Sequence, residues 1–175
     1  MPDLLILPGA LRAASSSRAT ARSLADRLEG RVTCTIGDVG RLPHYNADLT
    51  DDPEVAAFVA QVGSADGVLF VTPEYNYSIP GVLKNAIDWA SRPAYASVFR
   101  DKPCFVITVS LGALGGVRAQ AHLKYVLNGM LADVARAKEV VIPFANDKVQ
   151  DGRMTDDGIL DFALDQMAGF LDSLG

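Results

Sequence analysis

Cysteine is nearly missing from this sequence. Cys34 and Cys104 are the only two among 175 residues, and they sit far apart in apolar, strand-like runs. They form no CxxC pair, and neither is followed six positions later by the arginine that a cysteine-based phosphatase loop requires. The expectation is two buried, reduced thiols in a cytoplasmic protein. Histidine is as scarce: neither His44 nor His122 has a carboxylate at ligand spacing beside it, so no metal site is expected. Long apolar runs are missing too. No window approaches eighteen consecutive apolar residues, and the opening MPDLLILPGALR lacks the basic leader and apolar core of a signal peptide. Basic charge is short as well, with 16 Lys and Arg against 21 Asp and Glu and a net charge of −5. Phosphate binding at scale needs a basic surface, so nucleic acid is excluded as a partner. No basic amphipathic helix offers a membrane anchor. A small molecule is the expected partner.

What is present is alternation, with no internal repeat and no long linker. DLLILP (3–8) reads as a short apolar strand, followed by a polar stretch and a helical pattern from about Ser17 to Leu28. RVTCTIG (31–37) alternates and reads as an edge strand. Pro53 suits the first turn of a helix capped by Asp52 and running to about Val62. GVLFVT (67–72), PCFVITVS (103–110) and VVIPF (140–144) supply three more strands, and DGILDFALDQMAGFLDSL closes the chain as an amphipathic helix. Short apolar strands separated by helices predict a parallel sheet covered on both faces, within one domain over residues 1–175. Five such units predict a flavodoxin-like three-layer α/β sandwich with a five-stranded parallel sheet of order 2-1-3-4-5. A ligand then belongs at the carboxyl ends of the strands, against the loops after strands 1, 3 and 4.

The loop after strand 1, GALRAASSSRATA (9–21), has neither GxxxxGK[ST] nor GxGxxG, and no glycine between Gly9 and Gly30. A pyrophosphate held against the backbone needs glycine at its crossing points, so a tightly held dinucleotide is not expected here. Ser15, Ser16 and Ser17, between Arg12 and Arg18, suit a terminal monophosphate at a helix N-terminus. The plainer alternative is a serine-rich loop in which Ser17 only caps the helix. After strand 3, PEYNYSIPG presents Pro73, Glu74, Tyr75, Asn76 and Tyr77 where backbone amides and carbonyls can meet the heteroatom edge of a flat ring. In the next helix Val82, Leu83, Ala86, Ile87 and Ala90 mark the inner face, with Lys84 and Asp88 paired outside it. The helix after strand 4 is predicted to carry an inner stripe of Leu123, Val126, Leu127, Met130, Leu131 and Val134. Trp89 and Tyr125 are left as candidates for burial against a second subunit.

PEYNYSIPGVLKNAIDW resembles the signature of the NADPH-dependent FMN reductase family, which includes quinone, azo-dye and chromate reductases. GALRAASSSR is similar to that family's phosphate loop, and SLGALGGVRAQAHL (110–123) to its third loop. The resemblance implies bound FMN, with NADPH or NADH as electron donor. It puts phosphate and ribityl contacts on Ala10, Arg12, Ser15, Ser16 and Ser17, the ring against Pro73, Glu74, Tyr75, Asn76 and Tyr77, and adds Ser110. It assigns no obligate catalytic side chain. Ala10 stands where the family often has serine, which removes one hydroxyl. The implied activity is ping-pong transfer of electrons from NAD(P)H to quinones, flavins, azo compounds or metal oxyanions, in a homodimer or homotetramer. Two rivals stand beside it: a flavodoxin-type carrier serving a protein redox partner, and a cofactor-free interaction domain. The sequence leaves open whether Arg118 meets the donor's anionic group or a second subunit.

Overall fold

The computed structural model describes residues 1–174. β1 (Asp3–Pro8) is buried from Leu4 onward and lies inside a parallel sheet. It is followed by α1 (Ser16–Arg27), β2 (Thr33–Ile36), α2 (Pro53–Ser64), β3 (Gly67–Pro73), α3 (Gly81–Ala90), β4 (Pro103–Val109) and α4 (Val117–Gly129). The chain continues through β5 (Asp133–Val134), β6 (Val140–Ile142), a small hairpin of β7 (Val149–Gln150) and β8 (Arg153–Met154), and α5 (Asp157–Asp172). The sheet order is β2-β1-β3-β4-β5, parallel throughout, the flavodoxin-like order expected. Its fifth place is filled in two pieces. β5 pairs with Pro103 and Cys104 at the start of β4, and β6 with Ile107 to Val109 at its end.

Side chains alternate along the central strands and so build two cores. Leu4, Ile6, Leu69, Val71, Phe105 and Ile107 pack with Leu24 and Leu28 of the α1 region and with Met167 and Phe170 of α5. Leu5, Leu7, Val68, Phe70 and Val106 pack with Phe58 of α2, Leu83 and Ile87 of α3, and Leu123 of α4. Burial on both faces is why β1, β3 and β4 read as near-continuous apolar runs, while β2, at the edge, alternates. Gly9 closes β1. Its N–H donates to the Val71 carbonyl at 2.9 Å, and a Cβ there would stand 2.2 Å from Thr72 Oγ1. Only glycine lets the first loop leave the sheet this close to β3.

Three expectations need correction. α1 is capped by Ser15, whose Oγ accepts from the Arg18 N–H at 3.2 Å, so Ser17 lies inside the first turn. α4 ends at Gly129; Leu131 adopts a left-handed φ of 63°, and Val134 enters β5 instead of an inner helical stripe. Trp89 is buried within its own chain, its Nε1 donating to the Pro43 carbonyl at 2.8 Å and its ring meeting Tyr45 edge-on.

Candidate functional site

At the carboxyl ends of β1, β3 and β4 three loops enclose a cleft of about 330 Å³, within the range of small-molecule sites. Ala10, Arg12, Ser15, Ser16 and Ser17 form its first wall. The three serines are buried there, with Ser15 Oγ 3.2 Å from Ser17 Oγ, and Ser16 Oγ donating to Asn146 Oδ1 at 3.0 Å. Ser16 and Ser17 open α1, where a helix leaves its backbone N–H groups without internal partners. The two flanking arginines differ. Arg18 is committed to the loop: its Nε donates to the Ala10 carbonyl at 3.2 Å and its guanidinium lies 3.6 Å from Asp38. Arg12 is exposed at the cleft and makes no ion pair among the described residues. Hydroxyls, helix-end amides and one uncommitted cation form a donor set that fits a monophosphate.

Pro73, Glu74 and Tyr75 form the second wall. The Glu74 carboxylate does not face the cleft alone. Its Oε2 accepts from the backbone N–H groups of Arg118 at 3.0 Å and Ala119 at 3.2 Å. This makes it the cap that α4 otherwise lacks, because the helix starts from Gly116, at φ 86° and without a side chain. Beyond Tyr75 the chain turns tightly. Tyr75 and Ser78 exchange two backbone hydrogen bonds, of 2.9 and 3.0 Å, around Asn76 and Tyr77. Those two residues stand at the tip of the turn, outside the cleft wall. The Arg118 guanidinium lies 4.3 Å from the centre of the Tyr77 ring, and Ser78 Oγ is 2.7 Å from His122 Nδ1.

Val109, Ser110 and Leu111 complete the cleft. Ser110 is fixed by β6 and the turn after it: its N–H donates to the Ile142 carbonyl at 2.9 Å, and its own carbonyl accepts from Ala145 at 2.9 Å. The segment after β6 escaped the sequence reading, although it holds Ser110 through Ala145 and Ser16 through Asn146. The β-sheet end of β6 was the available signal; the 130-residue separation between Ser16 and Asn146 hid the contact. The cysteines stand apart from this chemistry. Burial pushes the Cys34 thiol up to about 11 and Cys104 up to about 12, so neither supplies a thiolate near neutral pH.

Residues 2–147 match the model of the NADPH-dependent FMN reductase family. The chain belongs to this family. It is 47% identical over 123 residues to a 2-hydroxy-1,4-benzoquinone reductase from a Burkholderia species, an alignment covering 69% of this chain and 67% of that protein. It is 37% identical over 178 residues to the quinone reductase of Escherichia coli K12, covering 96% of this chain and 93% of the relative. Among solved structures it resembles FerB, a flavoenzyme NAD(P)H:(acceptor) oxidoreductase from Paracoccus denitrificans. The TM-score is 0.87 at 33% identity, over 99% of this chain and 97% of FerB. As a member of the NADPH-dependent FMN reductase family, the protein is an oxidoreductase that works with FMN and NAD(P)H. Among its described residues no helix is long and apolar enough to cross a membrane.

Proposed function

We propose that the protein reduces quinones at the expense of NAD(P)H, with FMN held in the cleft and donor and acceptor using its open mouth in turn. The observation that carries this reading is the row of Ser15, Ser16 and Ser17 beside uncommitted Arg12, facing a wall of Pro73, Glu74 and Tyr75 across one cleft. In this assignment Arg12, Ser15, Ser16, Ser17 and the Ala10 backbone hold the phosphate and ribityl chain. The backbone from Pro73 to Tyr75 meets the ring edge, Asn76 and Tyr77 bound the mouth, and Ser110 supports the opposite side. Bound FMN supplies the two-electron chemistry.

The overall balance is NAD(P)H, a proton and a quinone giving NAD(P)⁺ and a hydroquinone. NAD(P)H contributes a hydride, two electrons with one proton; the second proton comes from solvent through the mouth, since Glu74 is engaged by α4. No cleft side chain is assigned the transfer of that proton. Quinones are the acceptors that the names of the Burkholderia and Escherichia coli relatives carry. Flavins, azo compounds and metal oxyanions form the wider range implied by the family resemblance. Dependence on NAD(P)H supports a cytoplasmic enzyme; the reading further takes residues 1–175 as one catalytic domain and a symmetric dimer or tetramer as the working form. The test is direct. Purified protein incubated with FMN should retain it and then oxidise NADPH upon addition of a 1,4-benzoquinone, with parallel lines in double-reciprocal plots. A protein that takes up no FMN, or takes it up and turns over no quinone, overturns the reading.

A further inference from the structure

Asn76 and Tyr77 occupy the centre of a two-residue turn with positive φ at both places, 49° and 69°. That is the backbone of a type I′ turn, in which glycine is the preferred second residue. A side chain held in this left-handed region crowds its own backbone, and such strain persists only where surrounding structure enforces it. Burial does not enforce it here, because Tyr77 is 71% exposed. Charge does. The Arg118 guanidinium lies 4.3 Å from the ring centre. Arg118 is itself aimed by Glu74, which accepts its backbone N–H at 3.0 Å and stands 3.5 Å from its Nη1. Glu74 lines the cleft, so a cleft-wall carboxylate is linked through one arginine to a strained and exposed aromatic ring, two residues beyond the cleft-lining Tyr75.

The surroundings are apolar in the same way. Tyr75 and Leu111, both on the cleft wall, are exposed, as are Leu11 and Leu114 on the loops that follow β1 and β4. A cluster of uncovered apolar side chains at one end of the sheet marks a contact surface. We propose that Tyr77 is the specificity-determining shelf on which a planar, uncharged acceptor lays its face, with Arg118 and Glu74 as the positioning residues that keep the shelf in place. The inference rests on reading the cleft as a site for quinone reduction, and it narrows the substrate class to acceptors with a flat π-face. An octahedral ion such as ferricyanide has no face to stack.

The experiment compares the parent with Tyr77→Gly, Tyr77→Phe and Arg118→Met, each loaded with FMN and given NADPH. The readouts are the melting temperature and the ratio of kcat/KM for a 1,4-naphthoquinone to kcat/KM for ferricyanide. Tyr77→Gly should lower that ratio about three- to tenfold, the scale of one lost aromatic contact, chiefly through the quinone KM. Its melting temperature should match or exceed the parent's, because glycine relaxes the turn. Arg118→Met should raise the quinone KM as Tyr77→Gly does, and Tyr77→Phe should leave that KM and the ratio unchanged. An unchanged ratio in Tyr77→Gly, or a variant that melts well below the parent, overturns the shelf. Failure of the parent itself to bind FMN or oxidise NADPH overturns the reading of the cleft instead.

Discussion

Arg12 and Arg18 flank the same three serines, yet the loop uses them differently. Arg18 is drawn back to the Ala10 carbonyl and toward Asp38, and so stiffens the turn. Arg12 remains exposed at the cleft. If Arg12 neutralises the FMN phosphate, Arg12→Ala removes a charge-assisted contact and weakens FMN binding by about 1.5–3 kcal/mol, roughly ten- to a hundredfold. Riboflavin lacks the phosphate and should bind parent and variant alike. Fluorescence titration with both flavins checks this, and equal FMN affinities would show that Arg12 points elsewhere. The difference between the two arginines was not legible in the sequence, because it depends on Asp38, which only folding brings to the first loop. The absence of a hydroxyl at position 10 was legible, but not the use made of that residue: its carbonyl anchors Arg18.

At the scale of elements, three helices start from carboxylates, α2 from Asp52, and the caps of α5 and α4 have very different origins. α5 is capped locally: Asp156 accepts from the Ile159 N–H at 3.0 Å and pairs with Lys148 at 3.1 Å. The Ile159 N–H, with Lys148 adding, holds the Asp156 carboxyl below its ordinary value. A lowered folded-state pKa gives stability that is present above the unfolded value, about 3.9, and is lost as pH falls through the folded one. Asp156→Ala should therefore cost about 1 kcal/mol near neutral pH, with the gap narrowing below about pH 4. Urea unfolding of both proteins at pH 7 and pH 3 measures it; an equal gap at the two pH values would contradict the cap. α4, by contrast, takes its cap from Glu74, 44 residues away, which no local pattern announces. The same division explains the elements. β1, β3 and β4 were readable because burial on both faces demands apolar runs. β5 has only Asp133 and Val134, too short to leave a period, and apolar spacing through Met130, Leu131 and Val134 disguised the end of α4. The β7–β8 hairpin carried a usable signal that went unread: Asp151 and Gly152, at φ 50° and 72°, are the Asp-Gly pair such turns prefer.

For the whole molecule, the apolar surface proposed for a partner is smaller than the sequence implied. Of the two candidates Trp89 is consumed internally, while Tyr125 stays exposed at 76%, as does Tyr95 in the loop after α3 at 68%. We still expect a closed symmetric assembly, the commonest way to cover such surface. Sedimentation at micromolar concentration should give at least twice the 18.6 kDa chain mass, and a single active species at that mass would defeat the proposal. α5 has a different consequence. It lays Leu160, Ala163, Met167, Phe170 and Leu171 over the face of the sheet that carries Leu69, Phe105 and Ile107, and its Asp157, Asp161 and Asp172 clasp Arg27 and Arg31. A ribosome makes this layer after every strand it covers. While the segment is still in the exit tunnel, β1, β3 and β4 can already be joined and roofed by α2, α3 and α4 on one side. On the other side, Phe105 and its neighbours lack the roof that α5 supplies, an exposed apolar surface of the kind that chaperones bind. One face of the sheet can thus be covered before α5 is made, and the other is completed only when α5 docks.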